Sequence, residues 1–256
     1  VNKPAGQLQR LAIAPEQLQG QSIYLNAEQQ HYLYDVLRLG HGDRFIAMNG
    51  QGQLWLAELL THPAQAMMLH SLQEQTELAM PVMVLAAPPK GNHFDQVVRS
   101  STELGVSHIV PLISQRTLLH PSPHKIQRWR RIATEAAEQS RRQLIPQVFD
   151  PITFTEVIAE SDLLNSHPWQ KYICQIDPTA TSFLKCLSTS MNTGIAVMVG
   201  PEGGWTDTEK NQAQSAGYQA VSLGRRTLRS VTATCMAVSV AIAQLELQTV
   251  QQGGLV

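Results

Sequence analysis

The sequence predicts an α/β protein in two parts: a small N-terminal β-barrel with one inserted helix, then a larger domain on a mostly parallel sheet. Up to about residue 72, short apolar runs flank a strong hairpin turn, Asn49-Gly50-Gln51-Gly52. Beyond residue 81, apolar runs of strand length alternate with capped helical stretches, the pattern of βαβ units covered on both faces. Near the C-terminus, two such runs end in glycines, where the carboxyl ends of parallel strands open into ligand-binding loops.

In the first part, RFIAM (44–48) and QLWLAELL (53–60) read as the hairpin strands. A helix starts at Asn26, with Gln29 at the capping-box position, carries Leu33, Val36 and Leu37 on one side and stops at Gly40. The polar stretch SLQEQTELAMP (71–81) reads as a linker, placing the domains at 1–73 and 80–250.

In the second part, VMVLAA (82–87) and HIVPLI (108–113) are strands. Between them Asn92 caps a helix that turns Phe94, Val97, Val98 and Leu104 inward and ends at Gly105. Ser122-Pro123 opens a long helix whose buried stripe is Ile126, Trp129, Ala133, Ala136 and Ser140. Its other face holds Lys125, Arg128, Arg130, Arg131 and, just beyond, Arg141 and Arg142. Either this is a solvated face laced by i, i+4 pairs such as Arg131 with Glu135, or it is a patch that steers a polyanion. Thr153 with Glu156 marks another capped helix, and KYICQID (171–177) another strand. The last helix, 230–247, is apolar nearly all round, with Ala233, Ala237 and Ala241 four apart. Burial against a second copy of the chain explains it; a central helix of one core is the alternative.

The two glycine loops, IAVMVGPEGGWTDTE (195–209) and VSLGRRTLRSVTA (221–233), organise the larger domain. Gly200, Gly203 and Gly204 let a ligand lie against bare backbone, Pro201 stiffens the approach, and Thr206 with Glu209 caps the following helix. A phosphate-binding loop needs a lysine and a hydroxyl right after the glycines, whereas here Glu202 stands among them. That carboxylate suits a cationic or hydrogen-bond-donating ligand, or it ties the loop's own amides together. Arg225, Arg226 and Arg229 crowd the second loop.

Composition narrows the function classes. The chain has 256 residues, 43% of them hydrophobic, and a net charge of −1, which excludes a generally basic nucleic-acid coat but leaves room for local basic patches. Three dispersed cysteines and no HExxH pattern predict reduced thiols and no metal. No run is read as approaching a membrane span, and the N-terminus lacks a signal peptide's apolar core, so the expectation is a cytoplasmic protein with no membrane partner.

Five segments, HYLYDVLRLGHGD (31–43), STELGVSHIVPL (101–112), RWRRIATEAAEQSRR (128–142), VGPEGGWTDTE (199–209) and LGRRTLR (223–229), together resemble the RsmE-like methyltransferases of the SPOUT superfamily, over nearly the whole chain. The resemblance implies an N-terminal PUA-like barrel and an α/β domain whose last third is threaded into a trefoil knot, although general topology rules disfavour knots. It implies S-adenosyl-L-methionine as methyl donor, N3 of one uridine in 16S (small-subunit) ribosomal RNA as acceptor, free or in a ribosomal particle, and a homodimer through the knot and last helix. By position it assigns Ile176, Gly200, Pro201, Glu202, Gly203, Gly204, Leu223, Gly224, Leu228 and Thr232 to the donor site, with Ile176-Asp177-Pro178 as the first knot loop. Arg10, Arg38, Arg128, Arg131, Arg142 and Arg226 fall on the RNA side. The family's threonine-glutamate-threonine after the last arginine is here Ser230-Val231-Thr232, so no role can rest on that glutamate; Ser100 and Arg141 replace a family lysine and glycine.

Methylating N3 of uracil requires alignment with the donor and loss of a proton. Arg229, beside the donor, is the candidate to stabilise the uracil anion, and Glu202 is a candidate base. The rival readings are a methyltransferase acting on another RNA nucleotide, a nucleotide-handling enzyme using the glycine loop for phosphate, and a non-catalytic RNA-binding module.

Overall fold

The computed structural model describes residues 8–159, 167–177, 179–187 and 193–251. They form two compact units: residues up to Glu77 with Ala137–Ile145, and Leu78–Ala136 with the residues from Pro146 on. Residues 137–145 thus cluster with the N-terminal part, although they follow the expected start of the second domain at 80.

The first unit is a six-stranded sheet in the order Arg10–Ala12, Arg44–Met48, Leu54–Leu59, Gln65–Leu72, Ser22–Tyr24, Leu18–Gln19. Arg44–Met48 and Leu54–Leu59 pair antiparallel across the expected turn. Gly50 there has φ +70°, and a Cβ on it would lie 2.6 Å from the Ile145 side chain, so this turn requires glycine. Asn26 caps Ala27–Gln30 through the predicted box with Gln29. The chain then passes into a π-helix, His31–Val36, closed by Leu37 N–H on the Tyr32 carbonyl. The wider i→i+5 turn rotates less per residue, so faces read at 3.6-residue spacing drift: Leu33 is fully buried, but Val36, expected beside it, is 58% exposed.

The stretch read as a linker does structural work inside this unit. Arg10, 3% exposed, pairs with Glu74 at 2.6 Å and donates to the Arg141 carbonyl at 2.7 Å. Arg142, 4% exposed, pairs with Glu77 at 2.7 Å, and the Gln143 and Leu144 amides donate to the same carboxylate. Buried guanidinium groups held by carboxylates and carbonyls cannot also meet RNA phosphates, so Arg10 and Arg142 are corrected from RNA contacts to braces of the unit.

The second unit carries a parallel sheet ordered Ile152–Thr153, His108–Ile113, Val82–Ala86, Gly194–Val199, Trp169–Cys174, Gln219–Ser222, Thr181–Ser182, with Gln147–Val148 also on His108–Ile113. Val82–Ala86 and Gly194–Val199 are wholly buried, as continuous apolar runs in a covered sheet should be. Helix His93–Leu104 buries Phe94, Val97 and Val98 and ends at Gly105 with φ +109°; Leu104 is only partly buried, while Ser101 and Thr102 are buried. In the helix Pro123–Gln139, Ile126, Trp129, Ala133 and Ala136 are buried as predicted; Ser140 falls beyond its end.

The last helix, Ser230–Gln251, lies against His93–Leu104 and the two central strands, burying Thr234, Ala237, Val238, Ala241, Ile242 and Leu245. Met236, Leu247 and Val250 stay exposed. Residues 230–250 have a mean hydropathy of 1.5 over an 18-residue window, of which 39% is buried. By length and composition this helix could cross a membrane, which corrects the reading that no run approaches a span; the apolar residues of its second face lengthen the run beyond what one buried stripe needs.

Candidate functional site

Parallel strands place their carboxyl ends on one edge. Three neighbours, Gly194–Val199, Trp169–Cys174 and Gln219–Ser222, therefore deliver residues of the segments 200–205, 175–177 and 222–228 to one open cleft of about 730 Å³. Its lining includes Cys174, Ile176, Asp177, Gly200, Pro201, Glu202, Gly204, Trp205, Lys210, Leu223, Gly224, Arg226, Leu228 and Ser230.

The first glycine loop is held on several sides. Trp205, 6% exposed, donates its indole N–H to the Cys174 carbonyl at 2.9 Å, tying the ends of adjacent strands together, and its ring packs on Phe154. A Cβ on Gly200 would stand 2.9 Å from the Trp205 ring, so Gly200 is glycine to admit the indole. The Gly204 amide closes a turn onto the Pro201 carbonyl at 2.9 Å. Glu209, 5% exposed, accepts from the Thr206 amide and hydroxyl with one oxygen and from the Gln115 amide with the other, so the capping box of helix Asp207–Ser215 is also a cross-link to the 114–117 turn.

The second loop has less support. The Ser222 hydroxyl is engaged with Gly224 alone, Gly224 sits at φ +119°, and Arg225, Arg226, Thr227 and Arg229 are exposed.

Electrostatics separate the polar groups. The Thr179 hydroxyl and amide hold the Asp177 carboxyl below its usual range, helped by Lys210. Asp207 is likewise lowered, by its bond to Lys210. Burial pushes the Cys174 thiol up to about 12, so it stays protonated and is no nucleophile. Glu202 is exposed and, among the described residues, makes no bond to the loop amides, which leaves its carboxylate for a ligand.

Of the residues expected at the donor site, Ile176, Gly200, Pro201, Glu202, Gly204, Leu223, Gly224 and Leu228 line the cleft. Gly203 does not: its carbonyl accepts from Arg116, itself outside the lining, at 2.7 Å. Thr232 is exposed in the first turn of the last helix, outside the lining. Arg229 is exposed between the lining residues Leu228 and Ser230 without lining the cleft itself. Pro178 lies outside the described residues. Among the expected RNA contacts, Arg226 lines the cleft and Arg38 is exposed, whereas Arg128 pairs with Asp95 of helix His93–Leu104 at 2.8 Å and Arg131 pairs with Glu135 at 3.3 Å, the latter being the i, i+4 lacing considered above. Sequence reasoning missed Trp205, Cys174 and Lys210 as lining residues; only the position of Trp205 next to the glycines hinted at the first.

Known proteins agree with this geometry. The RNA methyltransferase domain family matches residues 76–242, and the RNA methyltransferase PUA domain family matches residues 25–61. A ribosomal RNA small subunit methyltransferase E from Synechocystis is 42% identical over 245 residues, which cover 93% of this chain and 78% of that one. The crystal structure of the corresponding Neisseria gonorrhoeae enzyme, bound to S-adenosyl methionine, superposes with a TM-score of 0.80 at 30% identity, covering 94% of this chain and 98% of that one. A Legionella pneumophila methyltransferase structure with bound cofactor SAM also gives 0.80, at 26% identity, with 93% and 98% covered. A parallel sheet with a glycine-walled cleft at its carboxyl edge, preceded by a PUA-like module, is thus a SPOUT methyltransferase fold, and the chain belongs to the ribosomal RNA small subunit methyltransferase E family.

Proposed function

We propose that this chain methylates N3 of one uridine in 16S ribosomal RNA, with S-adenosyl-L-methionine as donor. The observation that carries the reading is a cleft walled by two glycine loops and lined by Asp177 and Glu202, with no lysine directly after the glycines as a phosphate loop would have. Its residues fit the donor. Gly200 and Gly224 keep side chains away from the backbone, Ile176, Leu223 and Leu228 offer apolar surface to a flat base, and Asp177 and Glu202 supply negative charge for a cationic ligand. When bound, S-adenosylmethionine supplies an electrophilic methyl group on a sulfonium.

The chain's own part is alignment and proton handling. Arg229, exposed at the junction of the second loop and the last helix, stabilises the negative charge that develops on the uracil. Glu202, exposed at the cleft, accepts the N3 proton. Arg38, Arg128, Arg131 and Arg226 bring RNA to the site, the first from the PUA-like unit; Arg128 and Arg131 must exchange carboxylate partners for phosphate. The resemblance to the family and the placement of Gln219–Ser222 between Trp169–Cys174 and Thr181–Ser182 support a knotted C-terminal segment. The exposed apolar face of the last helix, with Met236, Leu247 and Val250, supports a homodimer, and membership of a ribosomal RNA methyltransferase family supports a place in the cytoplasm.

Calorimetry with S-adenosylmethionine and with ATP, alongside radiolabelled methyl transfer to small-subunit RNA and to the assembled particle, tests this. Donor binding with transfer, lost in Arg229→Ala while donor binding persists, is the expected result. Donor binding without transfer by the unsubstituted protein would make it a non-catalytic module; methyl found on another atom would reassign the target.

A further inference from the structure

We infer that Arg116 is a positioning residue of the methyl-transfer site: from behind the first glycine loop it holds the turn whose tip carries Glu202. The inference rests on the reading of the cleft as the donor site.

The Gly204 amide bonds the Pro201 carbonyl, so Glu202 and Gly203 are the central residues of a tight turn, and both are exposed. A two-residue tip with free faces can rock about its hinge residues, and Glu202 would move with it. Arg116 Nη1 donates to the Gly203 carbonyl at 2.7 Å, a charge-assisted bond that pins the second half of that tip. Glu202 and Gly204 line the cleft while Gly203 and Arg116 do not, so the clamp acts from outside the cleft lining.

Arg116 can act as a fixed point because its own backbone is anchored. Ser114 and Thr117, both buried, close a turn: the Ser114 amide donates to the Thr117 hydroxyl at 2.9 Å and the Thr117 amide to the Ser114 carbonyl at 3.1 Å. Between them the Gln115 amide is held by Glu209 at 2.8 Å, and Glu209 is the carboxylate that caps the helix after the glycine loop. Arg116 and the loop it clamps are thus referred to one common strut.

The fit also explains Gly203. A Cβ there would lie 3.3 Å from Arg116 Cδ and 3.4 Å from its Cβ, while Gly203 is absent from the glycines with positive φ. Its backbone tolerates alanine, but the Arg116 stem would have to give way by a few tenths of an ångström. Gly203 is small so that the Arg116 stem can reach across it.

The experiment compares Arg116→Ala, Arg116→Lys, Gly203→Ala and the double variant Arg116→Ala/Gly203→Ala. Donor affinity, kcat, KM for RNA, melting temperature, the salt dependence of RNA binding and amide exchange at 202–204 are measured for each. Arg116→Ala should lower kcat by roughly tenfold to a hundredfold, the scale of a small misplacement of a catalytic group, with donor affinity and melting temperature nearly unchanged. Lysine, which can still donate to the carbonyl, should restore part of the rate. Gly203→Ala should resemble Arg116→Ala, and the double variant should be no worse than either, since the methyl group then has nothing to displace.

Unchanged kcat in Arg116→Ala, or full additivity in the double variant, overturns the inference. So does a drop of about one unit in the salt slope of RNA binding, which would make Arg116 a phosphate contact. If the unsubstituted protein neither binds donor nor transfers methyl, the reading of the cleft fails on its own. Exchange at 202–204 in the free protein still decides the clamp: faster in Arg116→Ala supports it, unchanged sinks it.

Discussion

The two glycine loops share a cleft and differ in almost everything that holds them. In the first, an indole, a guanidinium and a carboxylate reach in from strand ends and a helix start. In the second, the described bonds within 222–228 run only between Ser222 and Gly224, and four of its polar side chains face solvent. Both stretches look alike as text: an apolar run, glycine, charge. Their partners separate a preorganised wall from a wall that a ligand can shape, and the preorganised one carries Glu202.

The largest test of that contrast is Trp205→Ala. It empties a buried indole site and cuts the tie to Cys174, so stability should fall by about 3–5 kcal/mol, with donor binding lost; urea unfolding and calorimetry read both. Glu209→Ala comes next. Removing one capping carboxylate with three donors should cost about 2 kcal/mol and loosen the 114–117 turn as well, seen as faster amide exchange at Gln115 and Thr206. The smallest effect on stability belongs to the second loop: Arg225→Gln with Arg226→Gln should change unfolding free energy by no more than about 0.5 kcal/mol. The same pair should lower the salt slope of RNA binding by roughly one to two units. If the second-loop change proved as destabilising as Glu209→Ala, the two walls would not differ as described.

Much of the fold was legible because its signals are local. Asn26 with Gln29, Thr153 with Glu156 and Thr206 with Glu209 form the predicted capping boxes, and Gly105 ends its helix in the left-handed region. Hydrophobic runs located Val82–Ala86, His108–Ile113 and Gly194–Val199 to within a residue or two; the strand at Trp169–Cys174 starts and stops earlier than read, and the two-residue strands Gln147–Val148, Ile152–Thr153 and Thr181–Ser182 were missed because so short a pairing leaves no apolar run. Val36 misled because a π-turn changes the period on which the reading relied. Arg10 and Arg142 misled because exposure is the default for arginine, and their carboxylates, Glu74 and Glu77, stand 64 and 65 residues away in a stretch that looked like linker.

The sequence by itself determined the alternation of elements, the helix starts and the two glycine-ended strands, since each depends on backbone chemistry within a few neighbouring residues. Only the tertiary structure decided which glycine faces a ligand and which faces a bracing side chain, and which arginines are buried ties rather than free cations. Those outcomes depend on groups such as Arg116 and Gly203, 87 residues apart in the chain, and no local pattern records which distant partner will fill the space beside a residue.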